Sequence, residues 1–424
     1  ELGAGTPTTT PTTADPAAEP AAGPATGPSA TAPAAVPPRL KRQFDELKAQ
    51  TAEIRGLQWQ APLDLRVVSR KELSRMVREV VARDTDPKQV AGEEATLKLL
   101  HLIPENLDFG QLMLDLLAEQ VLGYYDPITR QLVVGTDGDE EELDGGTKWV
   151  IVHEMNHALT DQVFNYGPPT DALYKADKAD EAAAYSALLE GDAVIVQDLW
   201  ADKYLSDEEQ LLIALGGVGS GNIEVYLNAP PYVREDLAFP YGDGQEFVQG
   251  LYDAGGFAAI DAAYRRPPTS TEQILHPEAY RAGQASTPPA LPNLAAATGC
   301  TSLRTGTLGQ FDMEATLDLH LSDSEASRAV EGWNGDAYAV VRCGSAVGLA
   351  ERWQTDPGTD AARLADSLTR WAAQWSGSGR APGADGRFSG PGGTGRIVRN
   401  GNRVDLVLAQ DAATADKLTA ALAS

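Results

Sequence analysis

Histidine and cysteine are scarce: five His and two Cys in 424 residues. The cysteines, Cys300 and Cys343, lie in no CxxC or other metal-ligand spacing, which excludes a cysteine-built metal site. No run of 18 or more apolar residues occurs, so no membrane span is expected. Basic residues are outnumbered, 34 Lys and Arg against 61 Asp and Glu, for a formal net charge of -27. A chain this acidic repels phosphate backbones and anionic headgroups, so no nucleic-acid partner and no polybasic membrane docking are expected. No Lys or Arg precedes Arg39, and no charged-then-apolar signal segment follows Glu1. The chain is therefore expected to be a mature or trimmed product.

What is present is ordinary globular composition, 42% hydrophobic, in a length that suits two or three domains. Residues 1–38 are almost entirely Thr, Pro, Ala and Gly. Such a segment buries too little apolar surface to offset its ordering entropy, and is expected to be a disordered tether. A tether of this kind suits an exported protein held near the cell envelope or secreted. In that setting Cys300 and Cys343 are expected to form a disulfide; in the cytosol they would be two buried thiols.

Periodicity and turn chemistry predict the elements. Helices are expected over Pro38–Leu57, Lys71–Arg83, Lys88–Leu102 and Phe109–Glu119, with a strand over Leu63–Val68. Residues 120–125 and 130–134 form a predicted hairpin around Asp126-Pro127-Ile128-Thr129. An acidic loop, Asp137–Asp144, precedes a helix over about 146–164. It lacks the spacing of a calcium loop and is expected to be solvated. Asp171–Tyr204 suits one long helix, or two with a break at Gly191, and residues 206–280 suit shorter helices. The Pro- and Ala-rich stretch 285–295 marks an expected boundary. Beyond it come strands over Tyr338–Cys343 and Val347–Arg352, a helix over Asp360–Trp375 and a Gly-rich loop over Ser376–Gly395. A hairpin around Asn400-Gly401 and a last helix over Ala412–Leu422 complete the chain.

Two of the five His fall in His153-Glu154-Met155-Asn156-His157. Residues four apart share a helix face, so the two imidazoles can hold one tetrahedral ion. Glu154 sits about 100° around the helix from His153, placed to touch a water on that ion without being a ligand. Zinc lowers the pKa of such a water, and Glu154 would accept its proton. A third ligand is needed, and an acid from a later helix is the natural choice. Glu181 and Glu190 both qualify, but nine residues apart they lie about 180° around a helix, so only one can serve. Small residues beside Glu190 (Ala183, Ser186 and Ala187) are expected to let its helix approach the HExxH helix.

The chain resembles a family of mostly exported bacterial HExxH proteins assigned as gluzincin-type zinc metallopeptidases. The matching stretches are Val121–Pro127, His153–Gln162, Leu189–Ala193 and Pro267–Glu278, with a weaker match at Glu331–Asp336. They span about residues 110 to 345. The sequence departs from the family at Met155-Asn156, where Leu and Thr or similar are more usual; neither is a ligand position. The resemblance implies a gluzincin core and makes Glu190 the third ligand.

A hydrolase of this type needs a donor for the oxyanion that develops on the attacked carbonyl. His276 and Tyr125 are the candidates, and Asp161, one turn after His157, could orient a ligand. His101 and His320 lie in apolar-alternating segments and suit plain core or surface positions. The fold expectation is α+β: a tether at 1–38, an α-rich zincin-like metallopeptidase domain with a small hairpin sheet at 39–285, and a smaller α+β accessory domain at 296–424. The functional expectation is a zinc peptidase with a peptide or protein substrate, acting outside the cytoplasm. The rival is a non-catalytic, metal-stabilised envelope binding protein, against which the intact Glu154 argues.

Overall fold

The computed structural model describes residues 36–423 apart from 121, 137–141, 216–222 and 360. The expected tether to residue 35, Val121 of the resemblance and most of the acidic loop lie outside the described residues. The architecture is α+β. No helix among the described residues is long and apolar enough to cross a membrane.

The first sheet is small. Strands β1 (Asp64–Ser69), β2 (Gly123–Asp126) and β3 (Gln131–Thr136) stand in the order β1-β3-β2, with β1 parallel and β2 antiparallel to β3. The turn chemistry of the β2–β3 hairpin works as the sequence suggests. The Asp126 carboxylate accepts from the Ile128 N–H at 2.9 Å and the Thr129 hydroxyl at 2.8 Å. This sheet packs against the helices Pro38–Arg55, Gly145–Phe164 and Ala179–Tyr204. Leu132 and Val134 of β3 share one core with Ile151, Val152 and Met155, and with Val196 and Trp200.

The break in the 171–204 region falls at 176–178 rather than at Gly191: the helices are Gly167–Lys175 and Ala179–Tyr204. Gly191 is a contact point instead. A Cβ there would lie 2.3 Å from the carbonyl oxygen of Gly244, so the missing side chain lets the helix Asp243–Gly255 press against the backbone. Ala187 meets the same glycine. Of the small residues beside Glu190, Ala187 thus meets the helix Asp243–Gly255, while Ala183 and Ser186 line a cleft.

Strands β4 (Thr301–Gly306), β5 (Trp333–Cys343), β6 (Ala346–Thr355), β7 (Arg387–Gly390), β8 (Gly393–Asn400) and β9 (Arg403–Ala409) form a second sheet. It is antiparallel throughout, in the order β4-β5-β6-β9-β8-β7. The β8–β9 hairpin turns one residue later than expected, because Asn400 still pairs with Arg403. Gly401, with φ of 64°, takes the first loop position, which two-residue hairpins reserve for a left-handed residue. Two strands, β7 and the start of β8, occupy the stretch expected to be a Gly-rich loop. Cys300 and Cys343 form a disulfide with Cα atoms 4.7 Å apart. They extend the β4–β5 register by one pair beyond Thr301 and Arg342.

The stretch 285–295 lies inside one compact unit, Val36–Ser424. Leu97, Leu100 and Phe109 share the largest core with Trp333, Val340, Leu349 and Trp371. A seam of buried carboxyl groups joins the same two regions. Asp180, in the first turn of the helix Ala179–Tyr204, accepts from the Thr271 N–H at 2.8 Å and hydroxyl at 2.6 Å. Asp336 on β5 accepts from the backbone N–H groups of Leu308 and Gly309. Asp312 accepts from the Tyr232 hydroxyl.

Burial pushes Asp180 up to about 8, Asp312 up to about 7 and Asp336 up to about 6. A carboxyl whose folded pKa is raised stabilises the fold fully below its usual range near 4 and loses that contribution as pH rises through the folded value. Stability of the metal-free chain is therefore expected to fall between pH 5 and pH 9, on the order of several kcal/mol. Urea midpoints measured in chelator check this. A flat or rising profile would contradict the protonated seam.

Candidate metal centre

Two helices bring the site together. The helix Gly145–Phe164 starts where the Asp144 carboxylate accepts from the Thr147 N–H at 2.6 Å, and ends at Asn165 in the left-handed conformation. No Pro interrupts it, and Ile151, Val152, Met155, Ala158 and Leu159 anchor it in the core. His153 and His157, one turn apart, emerge toward the helix Ala179–Tyr204, from which Glu190 reaches back.

The Glu190 carboxylate lies 3.0 Å from His153 Nε2 and 3.3 Å from His157 Nε2, and the two imidazole nitrogens are 3.1 Å apart. These three form the one group of His, Cys, Asp and Glu among the described residues that could hold a metal ion. The spacing fits the donor set. Ligand bonds of about 2.0–2.1 Å at a tetrahedral ion put neighbouring donors roughly 3.3 Å apart. Without an ion, burial would lower the His157 pKa, but the Glu190 carboxylate beside it pushes the imidazole up to about 9. Burial likewise would raise Glu190, and the two imidazoles hold it well below the usual carboxylate range. Metal binding must therefore displace a proton, so affinity falls in acid. Glu181 pairs with Lys178 at 3.0 Å and takes no part.

Neighbouring groups fix the orientation. The amide oxygen of Gln197 lies 3.1 Å from His153 Nδ1. Gln197 thereby accepts a hydrogen bond from Nδ1–H, which keeps the proton on Nδ1 and leaves Nε2 free to face an ion. Glu154 feels the charges of His153, His157 and Glu190, and accepts from the Tyr125 N–H at 2.8 Å. Burial pushes its carboxyl up. Asn156, fully buried, donates to the Asp192 carboxylate at 3.2 Å. The same carboxylate accepts from Arg55 Nε at 3.0 Å and from the Tyr264 hydroxyl at 2.9 Å. This buried network ties the HExxH helix to the Glu190 helix, and removing one partner of such a pair costs about 3–5 kcal/mol.

The remaining candidates sit as follows. The Tyr125 hydroxyl donates to Asp161 at 2.8 Å, and Asp161 also accepts from the Gly167 N–H. Asp161 is fully buried and braces the chain after His157 rather than touching a ligand. His276 bonds Gln310 and lies 3.6 Å from Glu278; none of its contacts among the described residues is with the triad. His101 stacks on Trp375 and His320 lies against Trp371. Tyr241, absent from the sequence reading, lies beside the triad. Its ring centre is 6.1 Å from that of His153, and its phenol feels the Glu190 carboxylate. The Glu190 carboxylate, with burial second, pushes its phenol well above the usual range. A cleft of about 660 Å³, lined by Tyr125, Tyr174, Ser186, Asp236 and Pro240 among others, includes Ser186 one turn before Glu190 and the Tyr125 whose N–H holds Glu154, but none of the triad itself.

Residues 299–419, essentially the second sheet and its helices, match a domain of unknown function, DUF8575. The triad lies outside that match. No curated protein matches the chain. A solved structure from Chloroflexus aurantiacus, provisionally described as a hydrolase with a novel fold, is similar at 19% identity. The likeness covers 59% of this chain and 92% of that one, with a TM-score of 0.36, and assigns no function.

Proposed function

We propose that this chain is a zinc-dependent peptidase of zincin-like, gluzincin-type architecture that acts outside the cytoplasm. The observation that carries the reading is the convergence of His153, His157 and Glu190 within 3.3 Å, with Glu154 facing the same point. Two neutral imidazoles and a carboxylate are the donor set of a catalytic zinc site, which keeps a fourth position for substrate or water. Zinc held there supplies Lewis acidity, polarising a carbonyl and lowering the pKa of a water.

The chain's own residues do the rest. Glu154 accepts the proton of the attacking water and delivers it to the leaving amine. The Tyr125 N–H holds the Glu154 carboxylate in position for both transfers. The Tyr241 hydroxyl, beside Glu190, is better placed than His276 or the Tyr125 hydroxyl to donate to the developing oxyanion. The cleft beside the triad receives the substrate chain. The Cys300–Cys343 disulfide supports an oxidising compartment.

The test is hydrolysis of an internally quenched peptide library by the zinc-loaded full chain. Cleavage that 1,10-phenanthroline abolishes and added zinc restores is the expected result. A fully loaded chain that cleaves no peptide contradicts the reading and favours a metal-stabilised binding protein.

A further inference from the structure

The cleft beside the triad has an uneven charge balance. Three cationic side chains line it, and each is already engaged: Lys175 with Asp171 at 2.7 Å, Lys178 with Glu181 at 3.0 Å, and Arg304 with Asp177 at 2.7 Å. Its acids are engaged too, with one exception. Asp84 and Asp126 pair with Arg83, Asp86 caps a helix through the Lys88 N–H, and Glu93 lies 3.6 Å from Arg304. Asp236 alone among the described lining acids has no hydrogen bond or ion pair. Apolar residues line the same cleft, among them Phe109, Met113, Leu117 and Phe239, and the acids Asp312 and Glu93 lie near enough to Asp236 to repel its charge.

Asp236 shares its cleft with residues next to the triad. Tyr174 feels the charges of both Asp236 and Glu190. Ser186, one turn before Glu190, and Pro240, next to Tyr241, line the same cleft. A partly buried carboxylate without a partner, beside other acids, is costly to keep charged. Burial, with Asp312 and Glu93 nearby, pushes Asp236 up to about 8. An incoming cation is the ligand that offsets that cost, through a charge-assisted hydrogen bond. The net charge of -27 steers cations toward the molecule as a whole.

We propose that Asp236 is a specificity residue: the cleft takes a peptide with a cationic amine or guanidinium, flanked by apolar residues, and seats that group on the Asp236 carboxylate. This deepens the peptidase reading and rests on it for the role of the cleft. The cation is either a Lys or Arg side chain or a free peptide N-terminus, and both present the same chemistry.

The experiment measures binding to the zinc-loaded Glu154→Gln full chain, so that turnover is not required. Three fluorescent peptides share one apolar frame. The first has blocked ends and a central Lys, the second has blocked ends and norleucine in place of Lys, and the third has norleucine and a free N-terminus. The first or the third is expected to bind at least about tenfold tighter than the second, and which one does so identifies the source of the cation. Adding Asp236→Asn, which keeps the shape and removes the charge, is expected to bring the three within about twofold; Asp236→Ala is the second variant. Equal binding of all three peptides, no binding of any, or a preference that survives both variants overturns the proposal. Hydrolysis by the wild type separates the two readings. Binding through Asp236 without cleavage sinks the peptidase and leaves the cation site. Cleavage of the norleucine peptide as fast as the Lys peptide does the reverse.

Discussion

Glu154→Gln is expected to leave zinc in place and to lower peptide hydrolysis by roughly 10²–10⁴-fold or more. Glu154 follows His153 directly, so it is turned away from the ligand positions yet faces the same point. Gln is nearly isosteric and can still accept from the Tyr125 N–H through its amide oxygen. The variant should therefore fold and bind metal as the wild type does. What it loses is the ability to take a proton. Metal content and turnover measured on one preparation check both halves. Loss of zinc would make Glu154 a ligand. Equal residual activity in the two proteins would place any hydrolysis elsewhere on the chain or in a contaminant.

Glu190→Ala is expected to weaken zinc binding by more than roughly 100-fold, the upper end of what losing a residue that only orients a ligand costs. The carboxylate closes the triangle with His153 and His157 at 3.0 and 3.3 Å. Without it two imidazoles remain 3.1 Å apart and the third donor is lost. Glu181→Ala is the control, because Glu181 points to Lys178. Competition against a zinc chelator gives both affinities. Equal loss in the two variants, or loss only in Glu181→Ala, would overturn the ligand assignment.

The distribution of legible and silent features has physical causes. The HExxH helix is legible because its chemistry and its apolar periodicity lie on one element. Gln197 was within reach of the same logic: seven residues after Glu190, it lies on the same helix face. Tyr241 was not, because it sits in a Pro-Tyr-Gly turn between two helices, where no periodicity exists to single it out. Asn156 looked like a departure without consequence. Its partner Asp192 lies on another helix, and only packing brings the two together. The second sheet shows the same limit. Its central strands alternate or run apolar and were readable, whereas the edge strands β4 and β7 each bury a single residue, Arg304 and Phe388. An edge strand half in solvent carries little pattern. At Gly191 a helix-weakening residue suggested a break. The helix runs through it because the approach of Gly244 compensates for the propensity lost.

The most direct test of the central claim is the zinc content of the purified full chain after gel filtration, by elemental analysis, beside the His153→Ala/His157→Ala double variant. The account expects one zinc per wild-type chain and essentially none in the double variant, with both proteins folded by circular dichroism. A wild type that retains no zinc from zinc-replete buffer, or a double variant that keeps its zinc, would contradict it.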